Sequence, residues 1–202
     1  MAHSRNMPFM NIIVASLKGG VGKTTSSIYL SAAAVERGYD PVTLIDADPQ
    51  ASSAEWLETW SLPGITLVEA PSERMAIRVM SRVEGLVIVD TPPGNERITQ
   101  STVALADAVV IPTRAGGVEY SRVLATLELI PAWAPRGVVI CAARLGTNDL
   151  DVAIAWWKEQ KMEIWGVIPE RVGIAAGPEA RLSREGLEGY DAVLNQALRG
   201  WR

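Results

Sequence analysis

The segment most suited to chemistry lies between residues 18 and 25, where the sequence is Lys-Gly-Gly-Val-Gly-Lys-Thr-Thr. Its glycines let backbone N–H groups approach an anion closely, its second lysine can reach the outer phosphates of a nucleotide, and the next hydroxyl can bind Mg²⁺. The segment therefore predicts a phosphate-binding loop. We expect the nucleotide to be bound by Gly19, Gly20, Val21, Gly22, Lys23, Thr24 and Thr25, with Thr24 also serving the metal.

Three acidic residues follow apolar runs elsewhere in the chain. Asp46 and Asp48 come directly after residues 42–45, and Asp90 ends the apolar run 86–89. Phosphoryl transfer needs charge neutralisation and a well-placed nucleophile more than a strong base. One acid of the first pair can therefore serve a metal and the other a water, and Asp90 can hold a Mg²⁺-bound water. Capping of the helix that begins near residue 51 is an alternative role for one of the pair.

Short β-branched runs alternate with helical patterns along the chain, which predicts parallel strands joined by crossover helices. We expect an α/β fold with a doubly wound, mostly parallel sheet and helices on both faces. Ligands in this architecture bind beyond the carboxyl ends of the strands, where the loop and the acids should meet. The predicted strands cover residues 12–15, 42–45, 65–68, 86–89, 108–111, 138–142 and 164–168.

The loop departs from the common phosphate-loop pattern, because Leu17 stands where the first glycine belongs. Together with the extra Lys18 and the Asp-Ala-Asp-Pro-Gln run at 46–50, it resembles the deviant Walker A loop of the ParA/MinD family of dimeric ATPases. The resemblance implies a P-loop ATPase that uses ATP and Mg²⁺. It assigns Asp46 to the Mg²⁺ hydration shell and Asp48 to positioning the attacking water, and it makes residues 91–94 a segment that responds to the γ-phosphate.

The same resemblance gives Lys18 a catalytic role, in which it reaches across a homodimer to the partner's nucleotide. The resemblance is strongest to small ParA proteins. It implies a cytoplasmic, nucleoid-associated protein that binds nonspecific DNA as an ATP dimer. A partner protein would then stimulate slow hydrolysis and so position a cargo. The net charge is -4, so DNA contacts must come from a local patch. Our candidates for this patch are Arg171, Arg181 and Arg184.

Two other classes compete with DNA-based partition. Membrane positioning of the MinD type needs a C-terminal amphipathic helix with a basic face, whereas the polar face of residues 187–201 is mixed and suits packing against the domain. We therefore expect no membrane partner. A metabolic P-loop synthetase is the third class. The related iron–sulfur reductase is excluded because Cys141 is the only cysteine, and we expect it to be buried in a strand.

The composition predicts one domain over residues 10–202 after a flexible leader at 1–9, because 202 residues that are 48% hydrophobic can bury a sizeable core. Base recognition stays open: Arg144, Asn148 and the strand end at 166–169, including Pro169, are candidates by position. No guanine motif is present, which favours ATP over GTP. Asn148 and Asp149 could equally cap a helix, and we favour that role. Of the adjacent Trp156 and Trp157, we expect one in the core and one partly exposed.

Overall fold

The computed structural model of the protein describes residues 9–50, 52–60, 62–170 and 182–199. Strands and helices alternate throughout these residues. The strands are β1 (Met10–Val14), β2 (Val42–Asp46), β3 (Ile65–Glu69), β4 (Leu86–Asp90), β5 (Ala108–Thr113), β6 (Arg136–Ala143) and β7 (Ile164–Pro169). The helices are α1 (Lys23–Glu36), α2 (Ser52–Trp60), α3 (Glu73–Met80), α4 (Glu96–Val103), α5 (Gly117–Leu129), α6 (Asn148–Glu159) and α7 (Arg184–Ala197).

The seven strands form one parallel sheet in the order β3-β2-β4-β1-β5-β6-β7. Strands β1, β2, β4 and β5 are buried at every residue, which explains why they are apolar throughout instead of alternating with polar residues. The predicted doubly wound architecture is confirmed, and each of the seven predicted runs is a strand. In each of them the observed bounds differ from the prediction by three residues at most.

Successive residues of a strand point to opposite faces of the sheet, and the two cores follow this alternation. Val14 and Ile12 belong to the core that α1, α2 and α7 cover, whereas Ile13 belongs to the core beneath the four helices α3 to α6. On the first face α7 packs against α1 and β7. The hydrophobic side chains at 187, 190, 193 and 194 are buried there, so the predicted packing of this C-terminal helix against the domain is confirmed for its described residues.

The two adjacent tryptophans also behave as expected. Trp157 is fully buried, while Trp156 is half-buried and stacks on Tyr120 at a ring-centroid distance of 4.2 Å. Cys141 is buried in β6, again as predicted. Within the described parts of the chain, no helix has both the length and the apolar character needed to cross a membrane.

The parallel register brings the candidate chemistry to one edge. Asp46 at the end of β2 is level with Asp90 at the end of β4, and Asp90 is level with Val14 at the end of β1. The strand order reverses at β1, which lies between β4 and β5, and such a switch point opens a crevice at the carboxyl edge. The phosphate loop leaves β1 directly into this crevice.

Candidate functional site

The loop between β1 and α1 has the backbone conformation of an anion cradle. Gly20 and Gly22 adopt left-handed conformations, with φ of 71° and 98°. Gly22 is the N-cap of α1, and its carbonyl accepts a hydrogen bond from the Ser26 N–H at 2.8 Å. A side chain at Gly22 would be strained by this φ and would lie 3.4 Å from Cys141 Sγ. Glycine here lets the loop turn sharply and aim the helix N-terminus at the cavity.

Lys23 is buried at the first position of α1, with 7% of its surface exposed. Its Nζ donates a hydrogen bond to the carbonyl oxygen of Lys18 at 2.8 Å, so the ammonium group folds back across the loop that precedes it. Burial lowers the pKa of Lys23, and the negative charges of Asp90 and Asp48 oppose that shift. The lysine therefore lies at the loop, near two acids, in position to meet a phosphate.

Behind the loop, a hydroxyl and a carboxylate form a direct contact. Thr24 Oγ1 donates a hydrogen bond to Asp90 Oδ2 at 2.7 Å, and Ser53 Oγ donates a longer bond of 3.3 Å to the same oxygen. Burial raises the pKa of Asp90 to about 7; the hydrogen bond from Thr24 opposes this shift and the charge of Asp46 adds to it. Asp90 Oδ1 is buried and has no hydrogen-bond partner among the described residues.

The two acids after β2 have different surroundings. Asp46 is 1% exposed and accepts backbone hydrogen bonds from Asp48 and Ser53, both at 2.9 Å. It therefore caps the start of α2 as well as facing Asp90. Asp48 is half-buried, and one of its carboxylate oxygens accepts the Gln50 N–H at 3.0 Å. The capping alternative thus holds for Asp46, whereas Asp48 lines the cavity.

The residues present fit a magnesium ion. Mg²⁺ prefers oxygen ligands and commonly keeps several waters, and this corner offers the Thr24 hydroxyl together with the Asp90 and Asp46 carboxylates. The unpartnered Asp90 Oδ1 is the kind of buried acceptor that a hydrated cation would satisfy. No group of three or more His, Cys, Asp or Glu side chains in the described part of the chain is arranged to hold a metal by itself. Phosphate oxygens would have to complete the coordination.

A cavity of about 390 Å³ opens beside the loop, within the size range of small-molecule sites. All seven loop residues that were predicted to contact the nucleotide line it, and Pro169 lines it from the end of β7. Asp48 and Pro93 also line it, and Pro93 belongs to the predicted switch segment, whose Gly94 N–H donates to the Leu17 carbonyl at 3.1 Å. The remaining lining residues are Trp56, Arg114, Cys141, Ala142, Ile168, Glu170 and Tyr190.

The other base-recognition candidates lie apart from this cavity wall. Arg144 pairs with Glu170 at 2.7 Å, and it is Glu170 that lines the cavity. Asn148 is the first residue of α6, and the cap of that helix is Thr147, whose hydroxyl accepts the Leu150 N–H at 3.4 Å. The expected capping role of Asn148 is therefore wrong by one residue. Among the candidates, Ile168 and Pro169 are the ones that line the cavity.

The candidate DNA contacts fall at the start of α7 and before it. Arg171 and Arg181 lie outside the described residues. Arg184 is the first residue of α7, with 91% of its side chain exposed, and it contacts Glu188 at 3.3 Å. An exposed i,i+4 pair of this kind contributes little to stability and leaves the guanidinium accessible to a phosphate backbone.

Several residues of the site were missed from the sequence. Ser53 donates its backbone N–H to Asp46 and its hydroxyl to Asp90, yet a serine early in a helix carries no motif. Tyr190 comes from α7, far along the chain, and its hydroxyl lies 2.9 Å from Ser26 Oγ. Arg114 follows β5 directly, and its place after a strand was the one signal that could have identified it.

The sequence matches a family model described as the CobQ/CobB/MinD/ParA nucleotide binding domain, over residues 12–183. A maintenance of carboxysome distribution protein A from Gloeobacter kilaueensis is 34% identical over 149 residues, which cover 71% of this chain and 67% of that protein. The chromosome-partitioning ATPase Soj of Thermus thermophilus is 29% identical over an alignment of 213 positions, covering 83% of this chain and 84% of Soj.

Solved structures agree on the fold. The ATP complex of a Cyanothece McdA variant superimposes with a TM-score of 0.76 at 23% identity, over 97% of this chain and 98% of that one. At this level of identity the likeness concerns the architecture: a parallel sheet with a phosphate loop at its carboxyl edge.

Proposed function

Because the chain belongs to the CobQ/CobB/MinD/ParA nucleotide-binding domain family, and within it to the ParA/MinD-type positioning ATPases, we propose that it is a partition ATPase that hydrolyses ATP slowly and acts as an ATP-bound dimer on nonspecific DNA. The observation that carries the proposal is that the three acids lie in different surroundings. Asp48 lines the cavity, whereas Asp46 and Asp90 are almost fully buried behind the loop, beside Thr24.

The loop residues bind the phosphates in this proposal. Gly20 and Gly22 turn backbone N–H groups toward the anion, and Lys23 exchanges the Lys18 carbonyl for an outer phosphate oxygen. The exchange is favourable because a contact between two charged groups replaces a bond from the ammonium to a neutral carbonyl. Thr24, with Asp90 and Asp46 behind it, would hold Mg²⁺, which would neutralise part of the phosphate charge.

Asp48 positions the attacking water. One of its oxygens accepts the Gln50 N–H, which leaves the other to accept a hydrogen bond from a water in the cavity. Such a carboxylate orients a nucleophile without being a strong base, so turnover is slow until a partner protein improves the geometry. Lys18, which directly precedes the cavity-lining Gly19, supplies a second cation to the nucleotide of the partner subunit in this proposal, so that ATP holds the dimer together.

DNA binding belongs to the dimer in this proposal. A net charge of -4 disfavours DNA association by the monomer. Dimerisation doubles any basic patch, and Arg184, exposed at the start of α7, is its described member. Arg171 and Arg181 are its other proposed members. Contacts to phosphates release counterions, so the affinity should fall steeply as salt increases.

The experiment is to measure binding of the Asp48→Ala protein to nonspecific duplex DNA, with ATP and with ADP, at two salt concentrations. Loss of the water-positioning carboxylate should slow hydrolysis and keep the ATP dimer assembled. Asp151→Ala is the matched control, because Asp151 is exposed on α6, away from the cavity.

We expect salt-sensitive DNA binding by Asp48→Ala with ATP only. Wild-type rates of hydrolysis in Asp48→Ala would contradict the catalytic assignment. Absence of DNA binding in both nucleotide states would contradict the DNA-based function, and binding of the same protein to anionic liposomes would then favour a membrane scaffold.

A further inference from the structure

Arg114 lies on the side of the phosphate loop opposite to the acids. It directly follows β5, which pairs with β1 on one side, whereas β4 and Asp90 lie on the other. The Ala15 N–H donates to the Val110 carbonyl at 3.0 Å, which ties the start of the loop to β5. The connection that carries Arg114 therefore leaves the sheet beside the loop.

The position of Arg114 relative to the loop follows from its neighbours. It lines the same cavity as Gly22 and Cys141, and a side chain at Gly22 would lie 3.4 Å from Cys141 Sγ. Burial raises the pKa of the Cys141 thiol, while hydrogen bonding with Tyr190 and Ser26 and the positive charge of Arg114 oppose the rise. The positive charge of Arg114 therefore acts on the Cys141 thiol, which lies in β6 beside the turn into α1.

The guanidinium of Arg114 is also available to a ligand. Arg114 is exposed, and no hydrogen bond or ion pair of its guanidinium occurs within the described parts of the chain. The other cation of the cavity wall, Lys23, is occupied by the Lys18 carbonyl, and the acidic Glu170 of the wall is paired with Arg144. A guanidinium presents a planar set of donors that matches phosphate oxygens, and arginine is the residue most suited to that recognition.

We propose that Arg114 binds the inner phosphates of the nucleotide, those that ADP and ATP share. The outer phosphate is the one nearest Lys23, Thr24 and the acids on the β4 side. We place the base beside Ile168 and Pro169, which line the cavity from β7. Arg114 follows β5, and β5 lies between β1 and β7 in the sheet, so Arg114 lies between these two parts of the cavity. The inference rests on the proposed function in one respect, which is that the cavity binds an adenine nucleotide.

The test is the affinity of Arg114→Ala for ADP and for ATP, measured by isothermal titration calorimetry at two salt concentrations. We expect both affinities to fall by the same factor, roughly tenfold, because the lost contact is charge-assisted and present in both complexes. The salt dependence of ADP binding should also weaken. Arg114→Lys keeps the charge without the planar donors, and its affinity should lie between those of the other two proteins.

Arg122→Ala is the matched control, because Arg122 is exposed on α5, does not line the cavity, and its loss changes the net charge equally. It should bind both nucleotides as the wild type does. If Arg114→Ala binds ADP with wild-type affinity, the proposal is overturned, including when ATP binding alone is weakened, since that pattern places Arg114 at the γ-phosphate or across a dimer. If the wild type binds neither nucleotide, the proposed function itself is overturned.

Discussion

Asp90 is the residue whose chemistry depends most on its surroundings. It is 1% exposed, and its burial raises the carboxyl pKa from 3.8 to about 7. The bond from Thr24 and the charge of Lys23 favour the carboxylate, whereas the charge of Asp46 disfavours it. The nucleotide-free site therefore carries a carboxyl group that is partly protonated near neutral pH, and a bound cation would return it to the carboxylate.

This shift predicts a pH dependence of stability. In the folded protein Asp90 stays protonated up to about pH 7, whereas in the unfolded chain it ionises near 3.8. Between these values the folded state holds more protons, so the Asp90 contribution to the free energy of unfolding decreases as pH rises, by at most about 1.4 kcal/mol per pH unit. Asp90→Asn removes the titration while keeping the shape of the side chain.

Urea denaturation of both proteins at pH 5 and pH 7.5, without nucleotide and with EDTA, measures the effect. We expect the wild type to lose stability relative to Asp90→Asn as pH rises. All other titrating groups are shared and cancel in the difference. A stability difference that is the same at both pH values would show that Asp90 is ionised throughout.

Among the elements, α7 contributes Tyr190 to the cavity wall and packs against α1. Tyr190 stacks on Tyr29 of α1 at a ring-centroid distance of 5.3 Å, and the Tyr29 hydroxyl accepts the Ser183 N–H at 3.1 Å, just before α7 begins. Gly186 is buried against the same tyrosine, and a Cβ there would overlap the Tyr29 ring. The helix approaches α1 this closely because glycine occupies the contact.

Two glycines of α7 make a matched pair for testing this packing. Replacing a helical glycine by alanine gains about 1 kcal/mol of helix propensity in either case. At Gly186 the new methyl group meets a rigid buried ring, and overpacking of that kind costs about 1–3 kcal/mol. At Gly189 the nearest atom is the end of the Ile168 side chain, 2.9 Å away, which can rotate. We expect Gly186→Ala to be less stable than Gly189→Ala in urea denaturation; equal stabilities would contradict the close α7–α1 contact.

At the same scale, the sequence predicted the seven strands well because each begins with or contains a short run of β-branched or apolar residues, separated from the next by a helical pattern. It placed α7 against the domain from the mixed charge of its polar face. It did not show which helices share a face, and therefore did not join Tyr190 to Ser26, since those residues are 164 positions apart and meet only through the fold.

For the whole molecule, the proposed function requires two copies. A chain with a net charge of -4 does not attract DNA as a whole. Lys18 is half-buried and directly precedes Gly19, which lines the cavity. We expect Lys18→Ala to weaken ATP-dependent dimerisation while nucleotide binding by the monomer is kept, because the loop amides and Lys23 remain. Sedimentation velocity with a nonhydrolysable ATP analogue and ADP titrations measure the two properties separately.

Lys158→Ala is the control for this change, because Lys158 is exposed on α6 and its removal alters the net charge equally. It should dimerise as the wild type does. Normal dimerisation of Lys18→Ala with the ATP analogue would contradict the cross-subunit role, and loss of ADP binding would indicate that Lys18 shapes its own subunit's loop instead.

The sequence by itself determined the phosphate loop, the acids that follow β2 and β4, and the order of strands and helices. These features are local, because glycine conformations, apolar runs and strand ends depend on consecutive residues. Only the tertiary structure decided that Asp46 caps α2 through Ser53, that Lys23 rests on the Lys18 carbonyl, and that Arg114 and Tyr190 face the nucleotide cavity. These relations depend on which strands are neighbours in the sheet and how closely helices pack, and packing between distant segments leaves no pattern in adjacent residues.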